Sequence, residues 1–247
     1  MMHEHTPGAP ILFLRNVTKR FGGLVAVNDV SFDVREHEVM GIIGPNGSGK
    51  STTMNMISGA LKATSGSIEL QGHDLTRAKI FENARFGVGR TFQLVRILPQ
   101  LSVVENVIAG GVFGHKRRWG REAEDFAESL LDRVGLSHAI GKGVDSLTYI
   151  DQKRVELARA LAGQPEVLLL DEWLAGLNPS ELRVGIDLIA SLRAEGRTVI
   201  LVEHVMDAIR SLCDRCVVIN SGAKIAEGTP QEALSDPEVI RAYLGDA

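Results

Sequence analysis

The sequence predicts an α/β fold in which a parallel sheet is preceded by an antiparallel β portion and interrupted by a helical subdomain. Continuous apolar runs at 167–170 and 198–202, bounded by turn or charged residues, are typical of strands buried on both faces of a parallel sheet. Helical stretches separate these runs, which is the α/β alternation. The 247 residues, 44% of them apolar, suffice for one large domain or for a core with a subdomain.

The remaining elements follow in chain order. Apolar segments rich in Val, Ile and Phe, bounded by turn residues, predict further strands at 11–17, 25–34, 39–43, 217–220 and 224–226. A helix is predicted over 52–61, and short helices follow the last strand pair, whose turn contains Ser221 and Gly222. Strand signals are therefore concentrated at the two ends of the chain.

The middle third of the chain has a different sequence pattern, which predicts three helices and few strands. One of the three shows apolar residues at the spacing of a single helix face. These residues are Ala123, Phe126, Ala127, Leu130, Leu131 and Val134. We therefore expect a helical subdomain at 97–163, inserted in a core formed by 10–96 and 164–247.

Charge and hydropathy exclude several classes of protein. Lys and Arg total 27 against 31 Asp and Glu, and the net charge of −4 offers no general attraction for a polyanion, so we expect no nucleic-acid partner. A basic cluster at 116–121 is interpreted as a solvated loop or a surface near membrane headgroups. No apolar run approaches the roughly 18 residues of a membrane span, and the first residues lack a signal-peptide layout. We expect a cytoplasmic protein.

The two cysteines, Cys213 and Cys216, are spaced C-x-x-C, which permits a redox or half-zinc-site interpretation. We favour a packing role, because the chain has no second cysteine pair and Cys216 opens an apolar run.

A glycine-rich segment after the strand at 39–43 predicts a phosphate site. It matches G-x-x-x-x-G-K-[ST], with the preceding strand and following helix that this motif requires. The glycines let successive backbone N–H groups point inward at an anion, Lys50 adds a positive charge for the β- and γ-phosphates, and the Ser51 hydroxyl is a ligand for Mg²⁺. The expected nucleotide contacts are Gly44, Pro45, Asn46, Gly47, Ser48, Gly49, Lys50, Ser51 and Thr52.

Two adjacent carboxylates, Asp171 and Glu172, follow the strand at 167–170. In doubly wound sheets the carboxyl ends of the strands are where ligands bind. One of these carboxylates can hold Mg²⁺ through water, which leaves the other to position or deprotonate an attacking water.

The chain resembles the ATP-binding subunits of ABC transporters over nearly its whole length, with the P-loop, Q-loop, signature, Walker B, D-loop and switch motifs in that family's order. The resemblance implies that Glu172 is the general base and that Asp171 is the metal-associated aspartate. It further implies that Gln93 contacts Mg²⁺ or the attacking water, that His204 contacts the γ-phosphate, and that Phe21 stacks on adenine. It also implies that ATP is held between the P-loop of one subunit and the signature of another, either a copy or a paralogue.

Within that family, the segments 19–28, 90–93, 105–107 and 175–179 resemble the group that imports branched-chain amino acids and related amide solutes. The resemblance therefore implies permease subunits in the membrane and, indirectly, an extracytoplasmic solute-binding protein. An ABC exporter and a soluble, non-transport ABC ATPase remain the alternatives.

The sequence departs from the family at the signature and after Walker B. Thr148 keeps a hydroxyl for a phosphate, but Ile150 stands where a glycine is usual and Asp151 adds a negative charge. We expect the β-branched Ile150 to obstruct the phosphate bound by the opposite subunit, and hence a weakened signature. Trp173 replaces the usual proline, and either presses on the loop that carries Glu172 or packs against a neighbour.

Overall fold

The computed structural model describes residues 8–244, and two sheets organise it. The first sheet is antiparallel, in the strand order β2-β1-β4-β5. Its strands are β1 (Pro10–Phe21), β2 (Leu24–Arg35), β4 (Ser65–Leu70) and β5 (His73–Asp74). The first two strands extend beyond the predicted 11–17 and 25–34, because polar residues such as Lys19 and Arg20 continue the hairpin pairing after the apolar signal has ended.

The second sheet has the strand order β10-β9-β3-β8-β7-β6, and every neighbouring pair is parallel except β10 with β9. Its strands are β3 (Val39–Ile43), β6 (Val88–Arg90), β7 (Val167–Asp171), β8 (Val199–Val202), β9 (Arg215–Asn220) and β10 (Ala223–Gly228). The predicted α/β class, with an antiparallel β portion at the N-terminal end, is confirmed.

Helices cover both the core and the middle third of the chain. The core helices are α1 (Lys50–Ile57), α2 (Ile80–Phe86), α6 (Pro179–Ala194), α7 (Met206–Leu212), α8 (Pro230–Ser235) and α9 (Pro237–Leu244). The middle third contains α3 (Val103–Phe113), α4 (Gly120–Arg133) and α5 (Tyr149–Ala162), which pack on one another. Single 3₁₀ turns lie at Ser137–Ala139 and Val144–Ser146.

The two cysteines are buried free thiols beside β3. A Cβ at Gly41 would lie 2.9 Å from the Cys216 sulfur and 3.0 Å from the Cys213 sulfur. Both thiols therefore fill space against the backbone of β3, as the packing interpretation expects.

The order of the parallel strands determines where the site is built. Strands β3, β8, β7 and β6 are successive neighbours, and their carboxyl ends lie on one edge of the sheet. The P-loop follows β3, His204 lies just after β8, Glu172 follows β7, and Gln93 lies just after β6. Four segments that are distant in sequence thus meet at one edge.

Candidate functional site

The P-loop has a backbone that requires glycine at two positions. Gly44 and Gly49 have φ of +150° and +109°. A Cβ at Gly44 would lie 1.9 Å from the carbonyl oxygen of Ile219, and one at Gly49 would lie 2.5 Å from that of Ala26. Any side chain at these positions would force the loop away from β9 and β2. The loop conformation is therefore specified by its glycines and by the strands behind it.

Lys50 is 5% exposed, and its ammonium group donates to the carbonyl oxygens of Gly44 and Pro45, each at 2.8 Å. Burial lowers the pKa of Lys50, while the negative charges of Glu172 and Asp171 act in the opposite direction. In addition, the buried hydroxyl of Ser48 has no hydrogen-bond partner. A buried cation held only by carbonyls, beside an unpartnered hydroxyl, fits a polyphosphate ligand.

Of the four predicted catalytic side chains, Lys50, Gln93, Glu172 and His204, the last three are in contact. Gln93 Nε2 donates to Glu172 Oε2 at 2.6 Å, and His204 Nε2 lies 3.0 Å from Glu172 Oε1. Glu172 has a left-handed backbone, with φ of +49°, and its N–H donates to Val202 O of β8 at 2.8 Å. The structure thus brings together three residues that lie up to 111 positions apart in sequence, counted from Gln93 to His204.

A cleft of ≈ 690 Å³ lies between the P-loop and these three side chains. Its lining residues are Ala26, Asn46, Gly47, Ser48, Gly49, Lys50, Ser51, Thr52, Gln93, Glu172 and His204. Gly44 and Pro45 lie outside this lining and act through their carbonyls on Lys50. The cleft therefore gathers most of the predicted phosphate and catalytic residues.

Asp171 is buried at the end of β7, and its Oδ2 accepts a hydrogen bond from Arg90 Nη2 at 2.8 Å. No residue in the range 8–244 bonds its other oxygen, Oδ1. Across the described part of the chain, no group of three or more His, Cys, Asp or Glu could hold a metal ion without other ligands. The available set, Asp171 Oδ1, the exposed Ser51 hydroxyl and Gln93, fits a hydrated Mg²⁺ bound together with phosphate.

Besides Gly44 and Pro45, two further predicted contact residues, Phe21 and Thr148, lie outside the cleft lining. Phe21 is 46% exposed at the β1–β2 turn, and the Lys19 ammonium lies 5.0 Å from its ring centre. Thr148 is exposed on the helical subdomain, where its hydroxyl caps α5 by accepting from the N–H of Asp151 at 3.3 Å. Stacking on adenine and contact with a partner's phosphate therefore stay predictions.

The signature segment differs from the sequence-based expectation. Ile150 is only 7% exposed, so its side chain packs inside the subunit and does not face a partner, and the predicted obstruction by this side chain is wrong. The exposed residues of the segment are Thr148 and Tyr149, the latter at 45%. Asp151 is also less repulsive than expected, because it accepts from Thr148 Oγ1 at 2.7 Å and pairs with Arg154 at 3.4 Å. The sequence shows the residue type, whereas the helix geometry decides which side chains face outward.

Trp173 packs against its neighbours and is fully buried. Its indole N–H donates to Lys153 O at 3.2 Å, and the buried Lys153 ammonium donates back to Trp173 O at 3.0 Å. A Cβ at Gly185 on α6 would lie 3.2 Å from the ring, so that glycine leaves room for it. This reciprocal pair joins the loop after Glu172 to helix α5.

Two further buried carboxylates hold the loops of the site. Glu156 on α5 accepts the backbone N–H of Phe92 at 3.3 Å and of Arg96 at 3.0 Å, on either side of Gln93. Glu203, next to His204, accepts the Leu174 N–H at 2.7 Å. Burial raises the pKa of Glu203 to about 7. Sequence reasoning missed both residues, since carboxylates on a helix or after a strand are ordinarily solvated.

A family model described as "ABC transporter" matches residues 27–175, more than half of the chain. The chain belongs to the ABC transporter family. A second model, described as "Branched-chain amino acid ATP-binding cassette transporter", matches residues 223–247 of this ABC chain. It is thus an ABC-type ATPase subunit, and the predicted family is confirmed.

Curated relatives of this ABC subunit match over almost their full length. The high-affinity branched-chain amino acid transport ATP-binding protein LivG of Salmonella typhimurium and the protein BraF of Pseudomonas aeruginosa are each 42% identical, over 96% of this chain and 99% of theirs. The lipopolysaccharide export system ATP-binding protein LptB of Haemophilus influenzae is 33% identical, over 96% of this chain and 98% of its own.

Solved ABC cassettes share the fold. The ADP conformation of MJ1267, an ATP-binding cassette of an ABC transporter, is 32% identical with a TM-score of 0.86, over 96% of this chain and 99% of its own. The dimeric cassette MJ0796, bound to ADP and Pi, is 27% identical with a TM-score of 0.79, over 89% and 99%. In residues 8–244 of this ABC subunit, no helix combines the length and apolarity needed to cross a membrane.

Proposed function

We propose that this subunit binds and hydrolyses ATP to power a membrane importer of branched-chain amino acids or related amide solutes. The observation that supports ATP hydrolysis is that Gln93 and His204 each contact one carboxylate oxygen of Glu172 in the P-loop cleft. The solute class is supported by the names of LivG and BraF and by the second family model, which matches the C-terminal residues.

In this proposal each side chain has one task in phosphoryl transfer to water. Lys50 and the P-loop N–H groups bind the phosphates, Glu172 accepts a proton from the attacking water, and Gln93 and His204 orient that water and the γ-phosphate. Bound Mg²⁺ supplies charge neutralisation, with Ser51, Gln93 and Asp171 as the residues that would hold it. Catalysis then depends on positioning and on electrostatics.

A complete site is proposed to need a second ATPase subunit. Thr148 is exposed outside the cleft of its own chain, so it can face another subunit's phosphate once its hydroxyl proton turns away from Asp151 Oδ2. The dimeric MJ0796 cassette with ADP and Pi supports this arrangement. The subunit would sit on the cytoplasmic face of the membrane, held there by permease subunits.

An exporter subunit is the second candidate function. The 33% identity with the export protein LptB supports it, whereas the higher identity of 42% with LivG favours the importer.

Glu172→Gln tests the catalytic assignment. The amide cannot accept the proton from water, so we expect retained ATP binding and at least a hundredfold loss of turnover. The measurement is leucine uptake and phosphate release by the subunit reassembled with its permease partners in proteoliposomes, beside binding of a fluorescent ATP analogue.

Glu232→Gln is the matched control, because it makes the same change at an exposed helix cap outside the cleft and should leave turnover unchanged. Full turnover in Glu172→Gln would contradict the role of Glu172 as base. ATP-driven transport of a different solute class, with Glu172 still essential, would contradict only the choice of solute.

A further inference from the structure

Arg90 is a largely buried arginine that joins three segments of the site, and the sequence analysis, which places it in the segment 90–93, assigns it no task. Its Nη1 donates to Asn55 Oδ1 and to Ser58 Oγ, both at 2.7 Å, and its Nη2 donates to Asp171 Oδ2 at 2.8 Å. The Arg90 side chain is 9% exposed and that of Asp171 is 6% exposed. This is a buried ion pair with two further acceptors on the same guanidinium group.

The two acceptors at the C-terminal end of α1 fix the arginine before it reaches the carboxylate. Asn55 lies on the helix that begins at Lys50 and Ser58 is the C-cap of that helix, so the guanidinium group is held at a fixed position relative to the P-loop. Arg90 is the last residue of β6, three positions before Gln93. One side chain therefore connects the helix of the P-loop, the end of β7 and the strand that leads to the Q-loop glutamine.

Arg90 also decides which oxygen of Asp171 remains available. Oδ2 is engaged by the guanidinium, whereas Oδ1 has no partner within residues 8–244. A planar guanidinium that is held at its other nitrogen fixes the rotation of the carboxylate as well as its position. Oδ1 is then the single oxygen that Asp171 can present to an ion or to its water ligands.

We propose that Arg90 is the positioning residue of the metal site. It orients Asp171 so that only Oδ1 meets a hydrated divalent cation, and it holds that carboxylate at a fixed position relative to α1. The inference rests on the proposed function, since the cation is the one that accompanies the nucleotide. Partners of metal-binding carboxylates behave in this way generally, and their loss typically weakens metal affinity by about 10–100-fold.

Arg90→Lys tests the inference, because lysine keeps the charge but cannot reach Asn55, Ser58 and Asp171 with one planar group. The probe is Mn²⁺, titrated into the full chain with one equivalent of ADP while free Mn²⁺ is read by EPR. We expect the apparent Mn²⁺ dissociation constant to rise about tenfold. ADP affinity in EDTA, measured with a fluorescent analogue, should stay unchanged because Lys50 and the P-loop are intact.

Arg215→Lys is the matched control. Arg215 is another half-buried arginine with several acceptors, Asp33, Glu38 and Glu227, but it lies away from the cleft. Its replacement should lower thermal stability and leave the Mn²⁺ dissociation constant as in the natural chain. If Arg90→Lys does not fold, the double variant Asn55→Ala with Ser58→Ala keeps the ion pair, removes its anchor and should raise the constant in the same direction.

An unchanged Mn²⁺ constant in the Arg90 variant would overturn the inference. A loss of ADP affinity in EDTA as large as the loss of Mn²⁺ affinity would also overturn it, since Arg90 would then support the P-loop in general and not the metal site. If the natural chain itself bound no nucleotide, the proposed function would fail first, and that result is distinct from either outcome.

Discussion

Glu203 is a carboxylate 2% exposed beneath the catalytic cleft, between Leu174 and His204. Burial raises its pKa to about 7, and the nearby charge of Glu172 acts in the same direction, while Lys153 and backbone N–H groups oppose it. The folded state therefore holds this proton more tightly than the unfolded chain, whose glutamate titrates near its ordinary value. Glu203 consequently favours folding below about pH 4.5, and its contribution is lost as the pH rises to about 7.

Glu203→Gln should remove this pH dependence. Glutamine keeps the acceptor for the Leu174 N–H and never ionises, so we expect it to stabilise the fold by up to about 3 kcal/mol at pH 8 and by little at pH 5. Urea unfolding at the two pH values measures the difference. Glu105→Gln should instead destabilise the fold at both pH values. Hydrogen bonds from Ser102 lower the pKa of Glu105, so its ionised form is the one that the folded state stabilises. An equal effect of Glu203→Gln at both pH values would contradict the burial argument.

Sequence reasoning at the residue scale identified groups whose chemistry is carried by a local motif. Lys50, Asp171 and Glu172 were predicted in this way, because an apolar strand followed by a defined set of polar residues is visible in one stretch. Arg90 was not, since its acceptors Asn55 and Asp171 lie 35 and 81 positions away and nothing local marks the pairing. Contacts of that range become visible only when the strand order is known.

At the scale of elements, helix α5 is tied to both loops that carry the catalytic side chains. Glu156 accepts two N–H groups of the Q-loop segment, and the reciprocal pair of Lys153 and Trp173 holds the loop after Glu172. The N-terminal end of α5 is the signature segment with Thr148. We therefore expect a displacement of this helix to move Gln93 and Glu172 through these hydrogen bonds.

Glu156→Gln tests this connection. The two N–H groups bind different oxygens of the carboxylate, and an amide offers only one oxygen, so one N–H is left facing an NH₂ group. We expect a loss of about 1–3 kcal/mol in the free energy of unfolding, and slower ATP turnover with ATP binding retained. Chemical denaturation and phosphate release measure the two effects, with the exposed Glu128→Gln on α4 as control. Normal turnover would mean that α5 does not support the Q-loop.

The elements themselves were predicted to different degrees. Buried parallel strands such as β7 and β8 were predicted within one residue, because both faces are apolar and the run is continuous. Helix α1 was predicted as 52–61 and ends at Ile57, since the Ser58 and Gly59 turn interrupts it. The burial of Ile150 was missed because an exposed environment was assumed from the resemblance. The subdomain boundary at 97–163 stays a prediction.

At the scale of the whole molecule, the P-loop cleft formed by the described residues does not include Thr148 of the same chain. Mixing two inactive variants tests whether identical subunits complete each other. Lys50→Met removes the phosphate cation, and Thr148→Asp keeps a good helix cap while adding a charge that repels phosphate. Each alone should be inactive, whereas an equimolar mixture should recover about a quarter of natural turnover, because half of random pairs contain one intact site.

Recovery should increase with total protein concentration, and mixing Lys50→Met with Glu172→Gln is the control. Both of those changes impair the cleft, yet both leave Thr148 intact, so a hybrid contains two damaged clefts and no recovery is expected. If the mixture of Lys50→Met with Thr148→Asp stays inactive, a homodimer is contradicted and the partner subunit is a paralogue.

The contrast between the chain's two tryptophans has a spectroscopic consequence. Trp173 is fully buried next to Glu172, with its indole N–H bonded to α5, whereas Trp119 is 63% exposed on the α3–α4 connection. Iodide in solution collides with an exposed indole and is kept from a buried one. With the emission of Trp119 quenched, the remaining fluorescence comes from a ring in contact with the catalytic loop. The protein thus carries a built-in optical reporter at the residue after Glu172.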